Sequence, residues 1–139
     1  MGMYTEIFVR ATLIGELPTE VETALECIVG LRTSDGEVLP EHPLFACPRW
    51  DMLGGSGSYY FPAGAESTLT RDDLRRGKSL VIHGNIKNYD DEIELFFDWV
   101  NPYLDEADWD FIGFELYEED TQPTLYHKRP QVQEASNHG

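Results

Sequence analysis

The chain has 139 residues, 41% of them hydrophobic, with 26 acids against 10 bases and a formal net charge of −16. That length fits one domain able to bury roughly two thirds of its unfolded surface. The charge argues against nucleic acid or an anionic membrane as direct partner, since both would be repelled, and favours solubility or a strongly basic partner.

In chain order, Ile7, Val9, Ala11 and Leu13 alternate with Glu6, Phe8, Arg10 and Thr12, which predicts a strand over Thr5 to Leu13 with one face on a core. Thr19 with Glu22 forms the pattern of a capping box. It opens a helix that buries Val21, Ala24, Leu25, Ile28 and Val29 and stops at Gly30. Residues 31–57 are punctuated by Ser34-Asp35-Gly36, Pro40, Pro43 and Pro48, so turns are expected there, with a short strand around Leu31 to Thr33. Phe45 and Trp50 would pin this irregular segment by burial. Ser58 to Phe61 and Glu66 to Arg71 are two short strand candidates, and Ser79 to Lys87 is a stronger one, with Leu80, Ile82, Gly84 and Ile86 on one side. Asn88 is placed to cap a second helix, which Pro102 ends or bends. Phe111 to Glu118 and Thr124 to Lys128 complete the strands, joined through Glu119 to Pro123.

The resulting order is β-α-β-β-β-α-β-β. Runs of adjacent strands with two single helices suit an α+β two-layer sandwich, in which a mainly antiparallel sheet carries both helices on one face. Residues 1–129 would form this single domain, with 130–139 as a disordered polar tail.

The second helix carries the most unusual chemistry. Tyr89, Ile93, Phe96, Phe97, Val100 and Leu104 fall on one face at spacings of three and four, which leaves the acids facing water. Asp90, Glu94 and Asp98 then follow at i, i+4 and i+8, one carboxylate every ~6 Å along a ridge. Residues 1–87 carry 12 acids and 8 bases, whereas residues 88–127 carry 13 acids and none. This asymmetry sets the chain apart from a domain that is acidic for solubility alone. The expected contact residues are Asp90, Asp91, Glu94, Asp98, Asp105, Glu106, Asp108 and Asp110.

Other chemistry is weakly signalled. His42, His83, His127 and His138 are far apart, and none stands at metalloprotease spacing. Cys27 and Cys47 are too isolated for a zinc motif, and Cys27 falls on the inner side of its helix. Gly54-Gly55-Ser56-Gly57 lacks the Gly-Lys-Ser/Thr and the helix of a phosphate-binding loop, so it reads as a turn. Arg71, Arg75, Arg76 and Lys78 are interrupted by Asp72 and Asp73, the pattern of a solvated turn. Asp108, Asp110, Gly113 and Glu119 match four positions of a calcium loop, but Ile112 and Leu116 occupy two ligand positions. Neither a nucleophile elbow nor a catalytic cysteine setting is present. The expectation is a protein without catalytic activity, cofactor or metal, acting as a monomer on a protein partner.

Several motifs together carry a resemblance. Tyr4-Thr5-Glu6, Pro43-Leu44-Phe45 with Arg49-Trp50, Ser58-Tyr59-Tyr60-Phe61, Lys87-Asn88-Tyr89-Asp90-Asp91-Glu92-Ile93 and Pro123-Thr124-Leu125 resemble the signature of small phage- and prophage-encoded proteins, over Met3 to about Lys128. That family has no assigned chemistry. A small acidic protein of this kind is similar to DNA-mimicking anti-CRISPR inhibitors, which implies a basic nucleic-acid-binding complex, a CRISPR effector, as partner. The alternative is an accessory or immunity protein that binds another basic protein. With no apolar run near the ~18 residues of a membrane span and no leader, the expected location is the cytoplasm of the bacterial host cell.

Overall fold

The computed structural model describes residues 4–54, 67–72 and 77–130. Among these residues, five strands form one sheet: β1 (Thr5–Leu13), β2 (Thr68–Asp72), β3 (Gly77–Ile86), β4 (Phe111–Tyr117) and β5 (Thr124–His127). Their spatial order is β2-β3-β1-β4-β5 and every neighbouring pair is antiparallel. The two α-helices among the described residues are α1 (Thr19–Ile28) and α2 (Glu92–Val100). The architecture is α+β with an antiparallel sheet. The expected strand at Ser58 to Phe61, the Arg75-Arg76 pair and the tail beyond Pro130 lie outside the described residues.

β1 is the middle strand of the five, paired with β3 on one edge and β4 on the other. Val9 faces Ile82 on one side and Gly113 on the other, and Ile7 faces Gly84 and Glu115. The period-two pattern therefore puts Ile7, Val9, Leu80, Ile82 and Ile86 on one surface. These residues form a single core with Val21, Ala24, Leu25 and Ile28 of α1 and Ile93, Phe96, Phe97 and Val100 of α2. Gly113 lets α2 approach closely. A Cβ there would lie 2.8 Å from Phe97 Cζ and would also collide with the Phe8 carbonyl oxygen.

The irregular stretch after α1 contributes Leu44 and Trp50, both buried, through 3₁₀ turns at Pro43–Ala46 and Trp50–Met52. Phe45 meets Trp50 and Trp99 edge-on, with ring centroids 4.9 and 5.0 Å apart. On the opposite side of the sheet, Phe8 stacks on Phe114 at 5.5 Å and Arg10 lies over Phe111 at 5.6 Å.

Local signals were met in different ways. α1 starts one residue early: Pro18 is its N-cap, Thr19 is already helical, and no side chain caps it, so the capping box is not formed. The helix closes as expected. Gly30 has φ +89, its N–H bonds to Cys27 O, and the Leu31 N–H bonds to Glu26 O, a Schellman arrangement. This turn throws Leu31 into solvent at 65% exposure. No strand forms at Leu31 to Thr33; the Leu31 N–H is used to close α1, and Arg32 is held by Glu26 and Glu37.

Candidate functional site

Two local elements present the acids, and each departs from a simple helical ridge. Asp91 takes a left-handed conformation with φ 60 and is the N-cap of α2, so the helix begins only at Glu92. Asn88 still caps it from three residues upstream, its Oδ1 accepting the Ile93 N–H at 3.0 Å. Asp90 is therefore not on the helix. Of the expected i, i+4, i+8 row, only Glu94 and Asp98 share a helical face, because the Asp91 backbone breaks the periodicity between Asp90 and Glu94.

Glu92 departs further. It is fully buried, with Oε1 accepting the Asp90 N–H at 3.2 Å and Oε2 without a hydrogen-bond partner among the described residues. Arg49 reaches in from the irregular segment to within 3.6 Å of Glu92 and 3.5 Å of Asp90, and its guanidinium covers the Tyr89 ring at 4.9 Å. A buried carboxylate needs such a cation nearby.

Asp98 also has partners on both oxygens. Arg129 lies 3.2 Å from Oδ1 and His42 Nε2 lies 2.9 Å from Oδ2. His42 Nδ1 accepts the Leu44 N–H at 3.1 Å, so in the neutral ring the proton sits on Nε2 and is donated to Asp98. The His42 hydrogen bond, helped by Arg129, holds the Asp98 carboxyl below its ordinary value. Thus the absence of Lys and Arg between residues 88 and 127 does not leave every acid unpaired. Arg49, Lys128 and Arg129 come from outside that stretch to Asp90, Asp108 and Asp98.

After α2, a 3₁₀ turn at Asn101–Tyr103 carries Pro102, and Leu104 then bridges to Leu13. Glu106 folds back so that its carboxylate accepts the Thr12 N–H at 2.6 Å, a structural bond at the end of β1. Glu106 and Asp110 line a cleft of about 360 Å³ with Arg10, Thr12 and Phe111 on the α2-distal side of the sheet. Asp110 closes its own turn through the Ala107 N–H at 3.2 Å. Within that turn Trp109 has φ 73 and is 65% exposed. Its N–H donates to Lys128 O at 2.6 Å, while the Lys128 N–H donates to Asp110 O at 2.8 Å.

A larger cleft of about 480 Å³ opens between α2 and β5. Phe97, Ile112, Tyr126, Trp109 and Leu125 line it, and Glu94, Asp98 and Arg129 stand among its polar walls. Tyr126 stacks on Phe97 with centroids 3.9 Å apart, and its hydroxyl donates to Glu115 at 2.6 Å. Burial, reinforced by that bond, raises the phenol far above its ordinary value. Asn101 anchors the end of the chain beside this cleft, bonding both the N–H and the carbonyl of Arg129 at 2.9 Å.

Seven of the eight expected contact acids, Asp90, Asp91, Glu94, Asp98, Asp105, Asp108 and Asp110, are exposed; Glu106 is half-buried. Glu94, Asp98 and Asp108 gather near the Lys128-Arg129 end of β5, whereas Glu106 and Asp110 turn toward the sheet cleft. Trp109 and Leu125 were not among the expected site residues. The signal was present: a lone tryptophan between Asp108 and Asp110, in register with no apolar period.

No family model matches this chain, and neither a curated protein nor a solved structure is similar to it. Among the described residues, no group of three or more His, Cys, Asp or Glu is placed to hold a metal ion. Burial pushes both the Cys27 and Cys47 thiols upward, away from the reactive thiolate. None of the helices described is long and apolar enough to cross a membrane.

Proposed function

We propose that this protein is a non-catalytic inhibitor that binds a strongly basic partner, occupying the nucleic-acid groove of a defence complex of the CRISPR surveillance type as a DNA mimic. The observation that carries this reading is the exposure of seven carboxylates on α2 and its two flanking turns. Duplex DNA presents one phosphate per ~1.7 Å of its axis to the lysines and arginines that hold it. Glu94 and Asp98 alone are too sparse to match that density. Asp90 and Asp91 before the helix, with Asp105 and Asp108 after it, supply the remaining charge, while Asp110 turns toward the cleft on the other side of the sheet. Opposite fields mainly speed encounter, and close pairs then add affinity where the geometry is good.

A second reading has its own support. The apolar cleft beside Glu94 and Asp98 is more than charge mimicry requires, and it suits an accessory or immunity protein built for one basic protein partner.

The experiment replaces Asp90, Glu94 and Asp98 by Asn, Gln and Asn and measures inhibition of target-DNA binding by purified CRISPR surveillance complexes. The expected outcome is an unchanged fold by circular dichroism and at least about tenfold weaker inhibition, about 1.4 kcal/mol. Undiminished inhibition by the triple variant would remove these residues from the contact surface.

A further inference from the structure

We propose that the cleft between α2 and β5 is an anchor site. It takes one large apolar side chain carried on a short lysine- or arginine-rich segment of the partner, with Trp109 and Leu125 as its exposed walls. The inference rests on the reading of the acidic surface as partner-facing and adds what that surface grips.

The first support is the backbone at Trp109. Left-handed φ is costly for a bulky side chain and is normally left to Gly, Asn or Asp. Here a tryptophan adopts it with φ 73, and the paired hydrogen bonds to Lys128 hold it there. The result is an indole that is 65% exposed. Neither conformational preference nor burial explains tryptophan at this position, so the turn holds an apolar group out over the cleft at some cost to the fold.

Convergence is the second support. Leu125, 53% exposed, lines the same cleft. Between these two residues the floor is formed by Phe97, Ile112 and Tyr126, in a space of about 480 Å³. Large exposed apolar groups scattered singly are ordinary, but two that share one concavity mark a place where something docks.

Charge then selects the occupant. Glu94 stands on the rim and makes no ion pair among the described residues, while Asp98 is already held by Arg129 and His42. An arriving cation therefore meets Glu94 on the rim of the cleft. A second copy of the chain carries the same −16 charge and is disfavoured, as is nucleic acid. Cationic residues flanking an apolar anchor satisfy both the rim and the floor.

The test titrates the full chain with three capped pentapeptides, Lys-Lys-X-Lys-Lys, where X is Gly, Leu or Phe. Trp50 and Trp99 are buried, so the exposed and quenchable emission reports Trp109. The Leu or Phe peptide is expected to bind at least about tenfold more tightly than the Gly peptide and to shift that emission to the blue. Trp109→Gly, followed by backbone NMR shifts, is expected to bind all three peptides at the level of the Gly peptide. Its melting temperature should be no lower than that of the native chain, because glycine relieves the left-handed φ. Leu125→Ser should lose the same preference, and it decides the matter if Trp109→Gly does not fold.

Equal affinity of the native chain for all three peptides overturns the proposal. So does a preference that survives both substitutions, or a dimer of the native chain that Trp109→Gly dissociates. The Asp90, Glu94 and Asp98 triple variant separates the two readings. Loss of charge-driven binding with the apolar preference retained supports the anchor. Charge-driven binding without any apolar preference supports the acidic surface alone.

Discussion

At the scale of single residues, Asp98 shows how the acidic surface is tied into the fold. Its carboxyl is held below its ordinary value by His42 first and Arg129 second. A depressed folded value contributes stability above the unfolded carboxylate value of about 3.9, and that contribution disappears as pH falls through the folded value. Asp98→Asn should therefore be less stable than the native chain at neutral pH, and the two melting temperatures should converge in acid. With the Asp98 side chain 58% exposed, the neutral-pH difference should stay under about 1 kcal/mol. A gap that widens on acidification would contradict this assignment. Residue-level burial was also where the sequence misled most. Glu92 was expected in solvent with the other acids, yet the left-handed Asp91 rotates it inward onto Arg49.

At the scale of elements, periodicity was readable wherever a face is buried. β1 was expected over Thr5 to Leu13, and the structure places it at Thr5–Leu13 because every second residue enters the core. β3, β4 and β5 shift by only one or two residues at their ends. The start of α2 was not readable, since a non-glycine residue at positive φ leaves no local signal. Pairing between distant strands was equally hidden, so the central place of β1 emerged only in three dimensions. The close approach of α2 to β4 yields a prediction. Gly113→Ala should destabilise by about 1–3 kcal/mol in urea unfolding, because both the Phe97 ring and the Phe8 carbonyl must give way. Gly30→Ala should cost about 1–2 kcal/mol for a different reason: its Cβ meets nothing within 4 Å, and only the positive φ is strained. A neutral Gly113→Ala would mean that α2 does not press on β4 as described.

For the whole molecule, a net charge of −16 repels itself, and added salt screens that repulsion. Salt should therefore raise the melting temperature of the isolated protein while weakening its grip on a basic partner. These opposite signs distinguish a charge-driven binder from one that merely unfolds at high ionic strength. Candidate contact acids could be named from the sequence because acids outnumber bases so unevenly after residue 87. The cations that temper them could not, because Arg49, Lys128 and Arg129 are brought in by the fold. The most direct measurement is the affinity for a purified CRISPR surveillance complex as salt rises from about 0.05 to about 0.5 M, with and without competing duplex DNA. For a DNA mimic, affinity should fall steeply with salt, and DNA and protein should exclude one another. Binding that is insensitive to salt, or a ternary complex in which both are held together, would contradict DNA mimicry.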